Sequence, residues 1–369
     1  MPQPELAQQA RATGPSLPPD RIRVIPAERR VQAPAFVRGV VKVGVLSNMH
    51  AGKEGSNVAR VLSYLGHHPE ATCVETYSTS GLQEALDELA RREVGLLVVN
   101  GGDGSLQRAL TEVLRSGAFR RPPVLAPLRC GRTNTSATSI GSNRDPVVAA
   151  AAVMAAAREG SRRAIGSGVT DMLSHRVVDH AVLRVELSDD ASPHYGMVLG
   201  PGVIHRGTEL THNAFPTAGT QGVLGASLVT GSLILRALFG GSSGMLAPDP
   251  ATLTLDGIRH APGEYLVMMA STLDRMFLKI RPYWDRRPGA IHFTALTRAS
   301  VRNPGDIVRV LVGREPSEAA LAAGALSRNV ESAELEMDCG MMLDGEILDP
   351  KPGRRVRINA DRTVRFLRS

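Results

Sequence analysis

The chain has 369 residues, of which 43% are hydrophobic and 21% are charged, and it carries a formal net charge of +7. This length predicts two domains, because a single hydrophobic core rarely organises so many residues. The positive charge favours anionic partners such as nucleotides and lipid headgroups, whereas an aromatic content of 4% argues against a nucleic-acid platform built from stacked rings.

The cysteines and the hydropathy pattern indicate a cytoplasmic protein. Cys73, Cys130 and Cys339 lie far apart in the chain and form no C-x-x-C spacing, so neither a disulfide framework nor a structural zinc site is expected. No stretch reaches the roughly 18 apolar residues that a membrane-spanning helix needs. We therefore expect any membrane contact to be peripheral.

The first half of the chain alternates strand and helix patterns. Residues 1–36 are rich in proline and arginine and lack apolar periodicity, which predicts a mostly disordered arm. Buried strands are predicted at Val41–Leu46, Thr72–Tyr77, Val94–Val99 and Val124–Ala126. Amphipathic helices separate these strands, and a further helix is predicted at Pro146–Arg158. The alternation predicts an α/β domain over residues 37–165, with a parallel sheet and with ligands at the carboxyl ends of its strands.

The second half, residues 166–369, has the pattern of an antiparallel β-rich domain. Its short apolar runs are separated by Gly, Pro and Asp turns, and this spacing is typical of a sandwich or barrel-like fold. The runs are Val182–Leu187, Leu253–Leu255, Tyr265–Ala270, Ala290–Leu296, Ile307–Val312, Ala333–Met337 and Arg355–Ile358. Gly219–Gly244 is an exception, because its apolar residues have helical spacing; it forms either core or one wall of an apolar ligand site.

The stretch Val94–Leu110, VGLLVVNGGDGSLQRAL, has the clearest functional signal. A buried strand ends in Gly101, Gly102 and Gly104, which remove each Cβ that would obstruct a ligand, and a helix follows. Unpaired N–H groups and the helix dipole favour an anion at such a junction. The alternative is a tight turn in which Asp103 only caps the helix.

Glycine-marked loops follow three of the predicted parallel strands. They are Ser47–Gly52, Gly101–Ser105 and Cys130–Asn134. Because parallel neighbours end at the same edge of a sheet, the backbone N–H groups and hydroxyls of these loops can converge on one polyphosphate. Lys53, just after the first loop, is either a phosphate ligand or an exposed surface lysine.

With these three loops, the sequence resembles the diacylglycerol kinase catalytic family, which also contains sphingosine and ceramide kinases. The family's N-P-x-S-G motif is similar to Asn48–Gly52, and its G-G-D-G-T motif is similar to Gly101–Ser105. Its G-T-x-N loop is similar to Gly131–Asn134, and its C-terminal D-G-E matches Asp344–Glu346. Standing alone, Asp-Gly is also a common hairpin turn.

The resemblance implies a phosphofructokinase- or NAD-kinase-like α/β domain, followed by a β-rich antiparallel sandwich that binds a lipid substrate. It implies transfer of the γ-phosphate of ATP, with Mg²⁺, to a lipid hydroxyl such as that of diacylglycerol, ceramide or a sphingoid base. Asp103 would act at the nucleotide and Mg²⁺ side, and Glu346, with Asp344 beside it, would supply the general base. Thr79 is either a nucleotide ligand or, like Ser80, a helix cap. The implied nucleotide-binding residues are Asn48, Gly52, Lys53, Thr79, Gly101, Gly102, Asp103, Gly104, Ser105, Gly131, Arg132, Thr133 and Asn134.

The chain departs from the family pattern at charged positions. Where the family continues L-N-E after its glycine turn, this chain has Leu106–Arg108, so an arginine replaces an acid. Arg132 takes the Thr position of the G-T-x-N loop, and Thr135 takes the place of the usual Asp. Arg281–Asp285 stands where the family has an acidic metal loop, so a second structural metal ion is not expected.

Two other functions remain open from the sequence. The first is a soluble-substrate kinase of the NAD kinase type, since NAD kinases share G-G-D-G. The second is a non-catalytic nucleotide- or lipid-binding homologue, because Arg108 and Arg132 add cations beside the motifs. The arginine-rich segment 354–368 lacks interleaved aromatics, so it predicts a solvated strand face or a membrane-facing patch with anionic lipid headgroups, and no nucleic-acid partner. No oligomeric state is predicted.

Overall fold

The computed structural model describes residues 22–25, 41–49, 56–131, 133–163, 176–214, 247–276 and 279–369. Most of the predicted arm, the predicted phosphate ligands Gly52, Lys53 and Arg132, and the apolar stretch Gly219–Gly244 lie outside these ranges.

The first half forms the predicted parallel sheet. Its strands are β1 (Arg23–Ile25), β2 (Val43–Asn48), β3 (Ala71–Thr76), β4 (Leu96–Asn100) and β5 (Val124–Pro127). Strands β2 to β5 pair in parallel in the spatial order β3-β2-β4-β5. Strand β1 pairs with β3 in the antiparallel sense, so part of the arm that was predicted to be disordered is an edge strand.

Helices cover both faces of this sheet. They are α1 (Asn57–Gly66), α2 (Thr79–Arg91), α3 (Asp103–Arg115), α4 (Thr135–Ile140) and α5 (Pro146–Arg163). Along β4, Leu96 and Val98 pack with α1 and α5, whereas Leu97 and Val99 pack with α2 and α3. Each fully buried aliphatic side chain of this kind stabilises the fold by about 1.5–3 kcal/mol. The uninterrupted apolar run of β4 is therefore explained by burial on both faces.

The second half is strand-rich, as predicted. Its strands are β6 (Val177–Leu187), β7 (His194–Gly196), β8 (Val198–Pro201), β9 (Asp249–Leu255), β10 (Ile258–Arg259), β11 (Gly263–Tyr265), β12 (Val267–Ser271), β13 (Ile291–Leu296), β14 (Leu326–Val330), β15 (Ser332–Met337), β16 (Met341–Leu343), β17 (Glu346–Leu348) and β18 (Arg354–Leu367). Its helices are α6 (Val203–Ala214), α7 (Pro304–Leu311) and α8 (Glu318–Ala322).

Two sheets enclose the core of this half. One is an antiparallel sheet in the order β14-β13-β12-β8-β16-β17, and the other contains β18, β15 and β9 with β6 alongside. Side chains from both sheets, such as Leu199 and Phe293 from the first and Leu335 and Ile358 from the second, form one buried cluster. This packing is the predicted sandwich.

The last strand joins the two halves. Strand β18 pairs with β6 along most of its length, and its end lies beside β5, where Phe366 is paired in parallel with Leu125. The parallel sheet of the first half therefore continues into the second half as one 12-stranded sheet. This continuity fixes the sandwich, and the β16–β17 hairpin at its edge, relative to the glycine turns of the first half.

One predicted strand is wrong. The run Ile307–Val312 was expected to be β, but it lies mostly within helix α7. Asn303 caps this helix by accepting a hydrogen bond from the Gly305 N–H (2.9 Å), and Pro304 is its first residue. The β-branched residues of the run have helical spacing, since Ile307 and Val310 are buried whereas Val308 and Val312 are exposed. The cap and the proline favour the helix over the strand.

The arginines near the C-terminus lie on a paired strand face. Arg355 and Arg357 of β18 contact Glu336 and Glu334 of the neighbouring β15, at 3.6 and 3.3 Å. Arg354 is buried and forms hydrogen bonds to both carboxylate oxygens of Asp189, at 3.0 and 3.1 Å. Three of the arginines are therefore engaged by carboxylates within the fold, two across the β15–β18 ladder and one with a carboxylate in the turn after β6.

Candidate active site

The predicted loops meet at the carboxyl edge of the parallel sheet. The N–H of Cys130 donates to the carbonyl oxygen of Gly101 (3.2 Å), so the loop after β5 lies directly against the loop after β4. Gly102 and Gly131 are in backbone contact, and a Cβ on Gly102 would lie 2.9 Å from the Gly131 Cα. Only glycine permits this approach, because carbon atoms normally stay about 3.5–4.0 Å apart.

The loop after β2 reaches the same place. The side-chain amide of Asn48 donates to the Ser105 hydroxyl (3.0 Å), across 57 residues of sequence. A Cβ on Gly101 would lie 2.5 Å from the Ser105 Oγ, so this glycine makes room for the serine. The three loops that the sequence singled out are therefore brought together in their described parts.

Asp103 joins the second and third loops. Its carboxylate accepts hydrogen bonds from the Thr133 hydroxyl (2.6 Å) and from the N–H groups of Thr135 (3.0 Å) and Ser136 (3.0 Å). Asp103 thereby caps α4, the helix after the third loop, as well as beginning α3. Asn134 closes that loop through two hydrogen bonds to Gly131, at 2.8 and 2.9 Å.

These contacts limit how Asp103 could hold the implied Mg²⁺. A carboxylate has about four lone-pair positions, of which three are used here. Among the described residues, no group of three or more His, Cys, Asp and Glu side chains is arranged to hold a metal ion. The remaining position of Asp103 fits a Mg²⁺ ion that takes most of its ligands from nucleotide phosphates and water.

The Asp344–Glu346 motif forms the tip of the β16–β17 hairpin. Asp344 and Gly345 have φ angles of +48° and +92°, as a two-residue turn with both residues at positive φ requires. The Asp344 carboxylate accepts from the N–H groups of Met197 (2.7 Å) and Val198 (3.0 Å). Burial raises the pKa of this carboxyl to about 8, and the negative charge of Asp103 adds to the rise. Asp344 is thus buried beneath the turn, where it ties the hairpin to β8 and the residue before it.

Glu346 points to the other side, toward the start of α3. Its carboxylate forms an ion pair with Arg108, which is 238 residues away in sequence. A Cβ on Gly104 would overlap the Glu346 carboxylate, so this glycine lets the hairpin close on α3. The hairpin therefore brings one half-exposed carboxylate to the end of the glycine turn.

Two clefts adjoin this ion pair. The first is about 100 Å³ and is lined by Leu46, Asn48, Thr76, Ser78, Leu82, Val99, Ser105 and Arg108. The second is about 240 Å³ and is lined by Leu82, Gln107, Arg108, Thr111, Glu112, Arg115, His194, Leu343, Glu346, Ile347 and Leu348. We call the first, which lies at the strand ends and carries hydroxyl and amide groups among its lining residues, the loop cleft. We call the second, which has an apolar wall from the hairpin, the hairpin cleft.

Comparison with known proteins agrees with this geometry. Residues 42–165 match the family model of the diacylglycerol kinase catalytic domain. The resemblance predicted from the motifs is therefore confirmed over the first domain. No curated protein matches the chain in a sequence comparison.

Solved structures extend the similarity in fold to both halves. A protein described as a "putative diacylglycerol kinase" from Bacillus anthracis str. Sterne superposes with a TM-score of 0.59 at 14% identity, over 89% of this chain and 97% of its own. A diacylglycerol kinase structure from the same strain gives a TM-score of 0.55 at 14% identity, with the same coverage. The two-domain fold is thus that of diacylglycerol kinase structures, and the catalytic-domain match supports a kinase.

Several contacts of this diacylglycerol-kinase-like site were not predicted. Gln107 and Thr111, one turn apart on α3, donate to the Tyr195 carbonyl oxygen at 3.1 Å each and bind α3 to β7. Their i, i+4 spacing was the available signal, but Tyr195 is more than 80 residues away. Ser78, rather than Thr79 or Ser80, caps α2 by accepting from the Gly81 N–H (3.1 Å). Of the two alternatives for Thr79, a nucleotide ligand or a helix cap, the cap is therefore supplied by Ser78 instead.

Proposed function

We propose that this protein is an ATP-dependent lipid kinase, which transfers the γ-phosphate of ATP to a hydroxyl of diacylglycerol, ceramide or a sphingoid base. One observation carries the proposal: Glu346 from the second domain meets the glycine turn of the first and lines the hairpin cleft, and its partner Arg108 lines both clefts. Phosphoryl transfer to a hydroxyl requires adjoining positions for donor and acceptor, with a carboxylate that can reach the acceptor hydroxyl.

We assign ATP to the loop cleft. It lies where three strand-end loops converge, and Asn48, Thr76, Ser78 and Ser105 offer hydroxyl and amide groups there. Gly102 is the N-cap residue of α3 and has no side chain to accept from the first N–H groups of the helix. A helix start of this kind favours phosphate.

We assign the acceptor to the hairpin cleft. Leu82, Leu343, Ile347 and Leu348 give it an apolar wall, and Glu346 stands at its polar side. An amphiphile with a hydroxyl headgroup matches this distribution better than a wholly polar acceptor, because apolar surface gains by leaving water. The carboxylate can then approach the hydroxyl.

In the proposed reaction, the acceptor hydroxyl oxygen attacks the γ-phosphorus of ATP. A new P–O bond forms as the bond to the bridging oxygen of the β-phosphate breaks, and ADP leaves. Glu346 accepts the hydroxyl proton, while Asp344 holds the hairpin that carries Glu346. Mg²⁺, when bound with the nucleotide beside Asp103, supplies neutralisation of phosphate charge.

We also propose a peripheral contact with anionic membrane surfaces. No helix in the described ranges is long and apolar enough to cross a membrane. Val308 of α7 and Val312, the C-cap residue of this helix, are 60% and 59% exposed, and Arg302, Arg309 and Arg314, which are near them in sequence, are also exposed. Exposed apolar side chains together with exposed arginines are typical of helices that lie in a membrane interface.

Phosphorylation of a panel of acceptors tests the proposal. The purified chain is incubated with labelled ATP, Mg²⁺ and, separately, diacylglycerol, ceramide, sphingosine in mixed micelles, or NAD. We expect label in a lipid, and we expect Glu346→Gln to lower kcat by about 100-fold or more, since general-base catalysis contributes about 10²–10⁴-fold. Glu264→Gln, which changes an exposed carboxylate on β11, is the control and leaves the rate unchanged.

The other outcomes separate the remaining functions. Label in NAD alone would show a soluble-substrate kinase. Thermal denaturation with millimolar ATP and Mg²⁺ adds a second readout, because a ligand of the folded state raises the melting temperature by mass action. A rise in melting temperature with no label in any acceptor would indicate a nucleotide-binding homologue that has lost turnover.

A further inference from the structure

Arg108 lies where the two clefts meet. It lines both the loop cleft and the hairpin cleft, and no other charged residue described by the structure does so. Within the described part of the loop cleft, it is also the one charged side chain in the lining. A nucleotide tail placed there would bring several negative charges to this one cation.

The guanidinium of Arg108 has more hydrogen-bond donors than its contact with Glu346 uses. It carries five N–H donors in a planar fork, and its ion pair with Glu346 is made through Nη2. The side chain is 41% exposed, so the remaining donors are accessible from the clefts. Planar guanidinium groups match the spacing of phosphate oxygens and bind them in a bidentate manner.

The carboxylates near Arg108 leave part of its positive charge available to a phosphate group. On the same helix, Glu112 is paired with Arg115, so it does not neutralise Arg108. Glu346 is the carboxylate that contacts it. The arginine is thus held by the same carboxylate that we assign as the general base, at the border between donor and acceptor.

We infer that Arg108 is a further catalytic residue, whose guanidinium binds the γ-phosphoryl group of the donor nucleotide while it stays in contact with Glu346. This inference rests on the proposed function, since it places the γ-phosphoryl group of ATP between the two clefts. Arg108 forms and breaks no covalent bond; it offsets the negative charge on the phosphoryl oxygens during transfer and keeps the base aimed at the same point. The arginine that replaces an acid in the L-N-E pattern is then a functional part of this site.

The inference is tested first by nucleotide affinity, which needs no turnover. Binding of ATP and of ADP, each with Mg²⁺, is measured by calorimetry for the wild type and for Arg108→Gln. We expect the wild type to prefer ATP, and we expect the variant to lose about tenfold of that preference, because a hydrogen bond to a charged group contributes that much or more. The same loss in a Glu346→Gln background would show that Arg108 contacts the phosphate rather than acting through Glu346.

Turnover gives the second readout. Arg108→Gln is expected to lower kcat by 10³-fold or more, the range observed for arginines that stabilise phosphoryl transfer, and Arg108→Lys should recover part of the loss because it restores the charge without the fork. Arg92→Gln is the matched control, since Arg92 forms a comparable surface pair with Glu88 at 2.6 Å on α2 and should leave both readouts unchanged.

The two proposals can fail separately. If the wild type phosphorylates no acceptor, the proposed function fails, and the ATP-to-ADP preference still decides the role of Arg108. If Arg108→Gln keeps both this preference and a kcat within threefold of the wild type, Arg108 is only a surface ion-pair partner and the inference is overturned.

Discussion

The contact between Gly102 and Gly131 makes a quantitative prediction about the site. In Gly102→Ala, the new Cβ would lie 2.9 Å from the Gly131 Cα and 3.6 Å from its nitrogen. The first distance is at least about 0.6 Å shorter than a normal carbon–carbon contact. Gly102 has an extended backbone (φ −97°, ψ −169°), so alanine itself brings no backbone strain there. The whole effect must therefore come from the overlap.

This overlap cannot be relieved by rotating a side chain, because both atoms in conflict belong to the backbone or are fixed to it. One of the two loops must move, and overpacking of this kind costs about 1–3 kcal/mol of unfolding free energy. A displacement of about 1 Å at a catalytic site can lower the rate about 100-fold. We therefore expect a small loss of stability together with a large loss of kinase activity.

The assay is urea denaturation combined with kcat/KM for ATP. Gly66→Ala is the control, because a Cβ there has no neighbour within 4 Å and the residue ends helix α1. This control should be neutral or stabilising by up to about 1 kcal/mol. If Gly102→Ala kept wild-type stability and activity, the close approach of the two loops, and with it the glycine requirement, would be refuted.

Three further predictions concern charge and surface. Asp103→Asn should lower the unfolding free energy by about 1–3 kcal/mol in urea, because three donors then face one oxygen and an NH₂ group. The raised pKa of Asp344, about 8 against 3.8, means that the folded state holds this proton more tightly. Its contribution to stability is therefore full below about pH 4 and is lost as the pH rises toward about 8. Asp344→Asn should flatten the pH dependence of the melting temperature between about pH 4 and about pH 8. Binding to anionic vesicles should weaken with salt and in the double variant Val308→Asp/Val312→Asp, whereas Val148→Asp, which alters a 51% exposed valine on α5, should leave binding unchanged. Equal loss of binding in the double variant and in Val148→Asp would contradict a specific contact through α7.

The elements that the sequence predicted well are those with local patterns. Strand β4 could be predicted because four of its five residues are apolar and all five are buried. The helices after it could be predicted because their apolar residues recur at helical spacing. The strand prediction for Ile307–Val312 was wrong because β-branched residues favour strands only where they can pack on a pleated sheet surface. There, the cap at Asn303 and the proline after it outweigh that preference.

The contacts that could not be predicted join distant parts of the chain. The pair between Arg108 and Glu346 spans 238 residues, and no local rule brings these positions together. It depends on the path of β18, whose register shifts between Asn359 and Arg362 before the strand reaches β5. The sequence motifs predicted that a carboxylate near the C-terminus acts together with the glycine turn. They did not predict that an arginine of α3 forms an ion pair with this carboxylate.

The observed hairpin turn at Asp344–Glu346 and the general base that we propose there involve the same residues. A two-residue loop at positive φ sets Glu346 directly opposite Leu343 in the β16–β17 ladder. The buried Asp344 carboxylate fixes that tip to β8 and the residue before it, and Gly104 leaves room for Glu346 above the start of α3. A longer loop would move the carboxylate away from Arg108 even if every side chain were kept. The turn is therefore the means by which the second domain places a carboxylate at the glycine-turn edge of the first, and the spacing of the motif matters as much as its acids.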